Sequence, residues 1–338
     1  MATMVIRATA PNRIDLAGGT LDIWPLYAFL GGGYTVNVAI SLGSEVIVET
    51  RRDHKFDLYS EDLETGETAD SLGQLKPGGP MDLIVRALQH YRPEIGLNIR
   101  TRNRAPKGTG IGSSSTLLIA LSGALYQVQG KEIDREHIID TAANIEAMLL
   151  GVPTGKQDYY AAAYGGVNAI WFGLGGNRVE SLLVEEEVLQ VLDRRLILTF
   201  TGESRFSGTS NWNMMKAFVE DVGDTRRNLR AIAETSDRMR RCLLVADFDG
   251  FAKALEEEWE NRKGLASGVT TPRIDALMNA ARDAGALASK ICGAGGGGCM
   301  ITFCVPGSEA PVIRALTESG ARHLEYRIQP QGLRVETA

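Results

Sequence analysis

The sequence predicts an α+β protein of two domains, the second of them ferredoxin-like. Three observations lead there. At 338 residues the chain exceeds the size of one ordinary domain, which is about 100–200 residues. Its first half mixes short β-branched stretches with long apolar helical ones. Its second half reads strand, helices, strand, strand, helix, strand, the split βαβ order of a ferredoxin-like layer. A shift in composition at "GLGGNRVESLLVEEE" places the boundary near 175–190, giving units 1–180 and 181–338.

The elements follow in order. "MVIRATA" and "SEVIVETRR" are short and β-branched, with the glycine-rich "FLGGGYTVNVAI" before the second. "DLIVRALQHY" has helical spacing, and "LNIRTRN" is a strand leading into a glycine loop. "STLLIALSGALYQV" is an apolar helix. "DREHIIDTAANIEAMLL" is another, with Asp134 as N-cap and Gly151 just past its end. "KQDYYAAAY" is a shorter helix stopping at Gly165-Gly166, and "VNAIWF" is a strand. In the second unit "RRLILTFTG" is a strand, and 210–263 is charged and helical. "TPRIDALMNAARDAG" is a helix opened by proline. Strand "ALASKIC", loop "GAGGGG", strand "CMITFCV", helix "EAPVIRALTESG" and strand "HLEYRI" complete it.

Composition excludes several function classes. A net charge of −6 argues against a nucleic-acid binder that relies on neutralising phosphates, though a small anion needs only a local positive site. No run of about 18 apolar residues suggests a membrane span. The N-terminus lacks a signal-peptide pattern, so a cytoplasmic location is expected. Cys242, Cys292, Cys299 and Cys304 form no CxxC pair and read as small buried thiols.

Three glycine-rich stretches carry the chemistry. In "KGTGIGSSS", Gly108, Gly110 and Gly112 alternate with other residues, then Ser113, Ser114 and Ser115 open an apolar helix. A helix N-terminus offers unpaired N–H groups and partial positive charge. Glycines let backbone close around an anion, and serine hydroxyls donate to phosphate or ligate a hard cation such as Mg²⁺. One serine would serve a plain turn and cap; three behind three glycines read as a phosphate cradle. "GVPTGKQ" is one residue short of a Walker loop and lacks its hydroxyl. The GxGxxG at 293–298 precedes a strand rather than a helix, which rejects a dinucleotide site. "DLAGGTLD", with Arg13, Asp15 and Asp22 around it, is otherwise a hairpin-like turn. Glu146 alone would be a solvated helix face, and Asp158 alone a helix N-terminal acid.

Together and in this order the three stretches resemble the motifs of the GHMP kinases, named for galacto-, homoserine, mevalonate and phosphomevalonate kinases. "APNRIDLAGGTLDIWPLY", with "NVAI" behind it, resembles the first motif. "PKGTGIGSSS" resembles the second, P-x-x-x-G-[LI]-[GS]-S-S, and "KICGAGGGGCM" the third, which packs against the second. The resemblance covers nearly the whole chain. It implies an N-terminal domain like domain 2 of ribosomal protein S5, a ferredoxin-like C-terminal domain, and a site between them. It also implies ATP held by Lys107, Gly108, Gly110, Gly112, Ser113, Ser114, Ser115, Gly295 and Gly296, with Mg²⁺ on Glu146 and Ser114 (Ser113 is the neighbouring alternative). Asp158 matches the aspartate beside the acceptor hydroxyl, as base or orienting partner. Arg13 matches a basic residue that neutralises the transferring phosphate.

Within the family the chain is most similar to sugar kinases such as the heptose-7-phosphate kinases, through "GKQDYYAAAYGGVNAI" and "TFTGESRFSGTSNW" as well as the first motif. It departs from them at Leu21, where threonine is usual, and at Tyr159, where glutamine is usual. The expected function is an ATP- and Mg²⁺-dependent kinase acting on a hydroxyl of a sugar or sugar phosphate. Gly19, Asp22, Asp158 and Arg205 are its expected acceptor contacts: Asp22 accepts from sugar hydroxyls, and Arg205 with Arg13 holds an acceptor phosphate. The alternatives are a mevalonate or isoprenoid-acid kinase and a non-catalytic relative. A protein kinase is excluded because no H-R-D-type catalytic loop occurs.

Overall fold

A computed structural model describes residues 3–203 and 207–337. The elements in chain order are β1 (Val5–Ala17), α1 (Leu26–Leu30), β2 (Gly33–Thr50), β3 (Phe56–Ser60), β4 (Thr65–Ala69), α2 (Asp82–Tyr91), β5 (Leu97–Asn103), α3 (Ser113–Val128), α4 (Arg135–Leu150), α5 (Gln157–Tyr164), β6 (Val167–Phe172) and β7 (Arg178–Ser181). After these come α6 (Glu186–Arg195), β8 (Leu196–Phe200), α7 (Ser207–Val219), α8 (Thr225–Leu244), α9 (Phe248–Lys263), α10 (Pro272–Asp283), β9 (Ala286–Ile291), β10 (Cys299–Cys304), α11 (Glu309–Glu318), β11 (Arg322–His323) and β12 (Arg334–Thr337).

The first sheet has eight strands, with β12-β1-β2-β5-β3-β4 as its main path. The length of β2 lets it serve two partners on one edge. Its first part, Gly33–Val38, pairs with β6, and its second part, Ser44–Thr50, with β5. Helix α3 is apolar almost all round, and Ser115 through Tyr126 are buried without a break. Such a helix must be covered on every side, and it packs on β1 and β2 while α2 and α4 cover it. Asp134 caps α4 by accepting from the His137 N–H at 3.0 Å, and Gly151 ends it at φ +69°.

The second sheet has the order β11-β8-β10-β9, antiparallel at every pairing. With helices between β8 and β9 and between β10 and β11, it is the ferredoxin-like arrangement. The chain has a two-domain α+β fold. Three expectations need correction. "HLEYRI" contributes only Arg322–His323 as strand. The β3–β4 hairpin, β7 and α6 have no counterpart in the sequence reading. Strand β12 lies in the second half of the chain but pairs with β1, in the first sheet.

The four cysteines are free and buried. Among the described residues no helix is long and apolar enough to cross a membrane.

Candidate active site

Several pieces of chain meet at the seam between the sheets: the end of β1 with its following loop, the N-termini of α3 and α5, the C-terminal part of α4, Asn211 of α7, the C-terminal turn of α9, and the loop between β9 and β10. The glycine loop before α3 is bonded to its neighbours through backbone. The Arg13 N–H donates to the Ile111 carbonyl (3.2 Å), and the Cys299 N–H to the Thr109 carbonyl (2.7 Å). A Cβ at Gly293 would lie 2.9 Å from the Gly110 carbonyl oxygen, so the third glycine stretch packs directly on the second. Gly112 sits at φ +89°, and a Cβ there would lie 3.0 Å from the Asp158 carboxyl. Glycine meets both demands, because it has no Cβ and tolerates positive φ.

These pieces enclose a cavity of about 210 Å³. Its wall brings together Arg13, Gly19, Asp22, Gly108, Gly110, Gly112, Ser113, Ser114, Ser115, Glu146 and Asp158, all expected from sequence. A second cavity, about 690 Å³, shares Gly108, Ser113 and Ser114 with the first and includes Lys107. Its far side holds Leu63, Met81 and Ile84, together with Arg104 and Arg322. Gly295 and Gly296 do not line either cavity. Gly296 donates its N–H to the Val269 carbonyl at 2.7 Å, and a Cβ at Gly295 would meet Val269. Gly293 and Ala294 face the first cavity instead. Arg205 lies outside the described residues.

Inside the first cavity, Arg13 Nη2 is 2.7 Å from Asp158 Oδ1, and Arg13 Nη1 donates to the Gly110 carbonyl at 2.9 Å. Burial pushes the Asp158 carboxyl above its ordinary value, with Arg13 opposing that rise. Asp22 accepts from the Gln157 N–H at 3.0 Å. Burial raises Asp22 to about 6, against the backbone hydrogen bond and with help from the neighbouring Asp158 charge. Glu146 Oε2 accepts from the Ser115 hydroxyl at 3.0 Å and from the Tyr159 phenol. Burial raises Glu146 too, and these two donors moderate it. The Tyr159 phenol itself is pushed well above its ordinary value by burial and the Glu146 charge, so it stays protonated and donates. The hydroxyl meeting Glu146 is therefore that of Ser115; Ser114 lies exposed on the wall common to both cavities.

Behind the cavity lies a group of charges that sequence reasoning missed. Asp15, Glu258, Arg262 and Lys290 are all fully buried. Lys290 Nζ is 3.2 Å from both Asp15 Oδ2 and Glu258 Oε2. Arg262 grips Glu258 Oε1 with Nε (2.9 Å) and Nη2 (2.5 Å). Burial raises the Asp15 pKa, but Lys290 and Arg262 outweigh it and hold the carboxyl below its usual range. Arg262 also donates to the Gly19 carbonyl (2.8 Å), the Thr20 hydroxyl (3.2 Å) and the Gly293 carbonyl (3.3 Å). Thr20, on the cavity wall, stands at φ +78°. A β-branched residue there costs about 1–3 kcal/mol and persists only where its surroundings impose it. Arg262 is such a surrounding, so the sealed charges brace the stretch of cavity wall formed by Gly19, Thr20 and Gly293.

Two family models match the chain: the GHMP kinases N terminal domain over residues 64–166, and the GHMP kinases C terminal domain over 239–322. The chain belongs to the GHMP kinases. These are phosphotransferases that use ATP and an alcohol acceptor, and this GHMP kinase keeps the glycine loop and acids on one cavity wall. It is 28% identical to the D-glycero-alpha-D-manno-heptose 7-phosphate kinase of Campylobacter jejuni, over 97% of this chain and 98% of that protein. It is 27% identical to the mevalonate kinase of Pyrococcus horikoshii, over 75% of this chain and 72% of that protein. Among solved structures, a D-glycero-D-manno-heptose 1-phosphate kinase from Bacteroides thetaiotaomicron superposes with a TM-score of 0.80 at 27% identity, covering 98% of each chain.

Proposed function

We propose that this GHMP kinase transfers the γ-phosphate of ATP to a hydroxyl of a heptose phosphate or a closely related sugar phosphate. The observation that carries the reading is the first cavity, where the Asp158–Arg13 pair and Asp22 meet at the N-terminus of α5 on a wall shared with the glycine–serine loop. The larger cavity takes the nucleoside, with its phosphates over Gly108, Ser113 and Ser114 and beside Lys107. Unpaired N–H groups of α3 and the Lys107 ammonium supply positive charge there.

Asp158 takes the proton of the attacking hydroxyl, and its raised pKa suits a base better than that of an ordinary aspartate. Arg13 holds Asp158 in place and neutralises charge on the transferring group. Asp22 accepts from a second sugar hydroxyl, which rejects analogues lacking it. The donor set also fits Mg²⁺. The Glu146 carboxylate and Ser114 hydroxyl are hard oxygens on one wall, and such an ion uses one or two carboxylates plus substrate phosphates. An ion held by Glu146 and Ser114 would supply positive charge to offset that of the phosphates. A reducing cytoplasm suits the four free thiols.

The test is purified protein with ATP and Mg²⁺ against a panel of free heptoses and hexoses, their phosphates, mevalonate and homoserine, followed by ADP release. Turnover greatest on a heptose phosphate is expected. Activity on mevalonate with none on any sugar or sugar phosphate would overturn the assignment.

A further inference from the structure

Three consecutive residues open α5, and each is tied to one charged residue of the cavity. Gln157 binds Asp22 through its N–H, Asp158 binds Arg13, and Tyr159 binds Glu146 through its phenol. The first two ties involve groups already assigned to the acceptor. The third does not. Tyr159 is fully buried and does not line the cavity, so it touches neither substrate. Its hydroxyl and that of Ser115 converge on one oxygen, Glu146 Oε2. Oε1 is left without a hydrogen-bond partner among the described residues, on a side chain that lines the cavity.

A glutamate turns about its last bond over a broad range. Two donors on one oxygen remove that freedom and fix which oxygen faces the open space. We propose that Tyr159 is a positioning residue: together with Ser115 it locks the Glu146 carboxylate so that Oε1 is presented to a divalent cation in the cavity. The inference rests on reading the cavity as a metal–nucleotide site. Outer partners of this kind typically change metal affinity about 10–100-fold.

Tyr159→Phe removes the donor and keeps the ring in the core. Titrate Mn²⁺ into protein with a non-hydrolysable ATP analogue, and read free Mn²⁺ by electron paramagnetic resonance. For Tyr159→Phe the Mn²⁺ dissociation constant should rise about 10-fold, while affinity for the metal-free analogue stays at the wild-type value. Ser115→Ala removes the other donor and should raise the Mn²⁺ dissociation constant likewise, and that constant alone is read if the phenylalanine variant does not fold, because Ser115 also lines the phosphate cradle. An unchanged Mn²⁺ constant, even with lowered thermal stability, overturns the proposal and leaves Tyr159 as core filling. Wild-type protein that holds no Mn²⁺ beyond what the analogue holds alone overturns both this proposal and the reading beneath it.

Discussion

Two groups of charges lie side by side in this molecule and differ in what they leave free. In the cavity, Arg13, Asp158, Asp22 and Glu146 each keep a face on open space. Behind it, Asp15, Glu258, Arg262 and Lys290 are sealed. The sealed set balances two positive against two negative charges, and its remaining donors go to the Leu16, Gly19 and Gly293 carbonyls and the Thr20 hydroxyl. Charges in the cavity stay incompletely matched, and their carboxyls are raised by burial. The difference separates roles: groups that keep an open face are free to act on a ligand, while charges paired in the interior hold the frame around it.

The largest effect should come from the cavity. Asp158→Asn keeps the side-chain shape but removes the proposed base, and turnover should fall about 10²–10⁴-fold or more. The neutral amide leaves the buried Arg13 without its ion-pair partner, so thermal unfolding should fall as well, and turnover is compared at a temperature where both proteins are folded. Wild-type turnover would take Asp158 out of the chemistry.

Next comes the sealed set. Lys290→Met leaves Asp15 and Glu258 buried without their common cation. Removing one partner from such a group costs about 3–5 kcal/mol, which urea unfolding would register. If Lys290→Met were as stable as the parent, the sealed charges would not be holding the frame.

A third test probes the metal side of the cavity. Glu146→Gln exchanges a carboxylate for a poorer hard-ion ligand, so activity should need roughly 10-fold more Mg²⁺ and recover in part when it is supplied. An unchanged Mg²⁺ titration would remove Glu146 from that role.

The smallest effect concerns pH. Asp22 has a folded-state pKa of about 6 against a reference of 3.8. Below the lower value both folded and unfolded chains carry the proton, and burial of Asp22 costs nothing extra. As pH rises through the window, the unfolded chain ionises first and stability is lost. Asp22→Asn escapes this loss. It should melt higher than the parent at pH 8, on the order of a few degrees, with the gap closing toward pH 4 even as acceptor affinity falls. A gap independent of pH would show that Asp22 ionises normally in the folded protein.

The two groups were not equally legible in the sequence. Glycine–serine loops before an apolar helix announce themselves, because few other uses demand that pattern. Glu258 and Arg262 stand four apart on a charged helix, the spacing of an ordinary surface pair, and only tertiary packing shows that they are sealed. Lys290 did leave a trace: a lone cation inside "ALASKIC" has to find a buried partner. Thr20 left none, since positive φ at a β-branched residue follows from its neighbours. The β3–β4 hairpin escaped because its exposed strand, "TGETA", is polar. At the third loop, glycine spacing alone did not separate Gly293, which faces the cavity, from Gly295 and Gly296, which pack against Val269.

The wall of Gly108, Ser113 and Ser114 common to both cavities carries a stereochemical consequence. On the proposed placement, with the donor on one side and the acceptor on the other, the two meet across it in a single in-line displacement. The phosphoryl group then moves once, and one displacement turns phosphorus inside out. A γ-phosphate made chiral with oxygen isotopes should reach the sugar with inverted configuration; retention would mean that a protein side chain carries the group on the way.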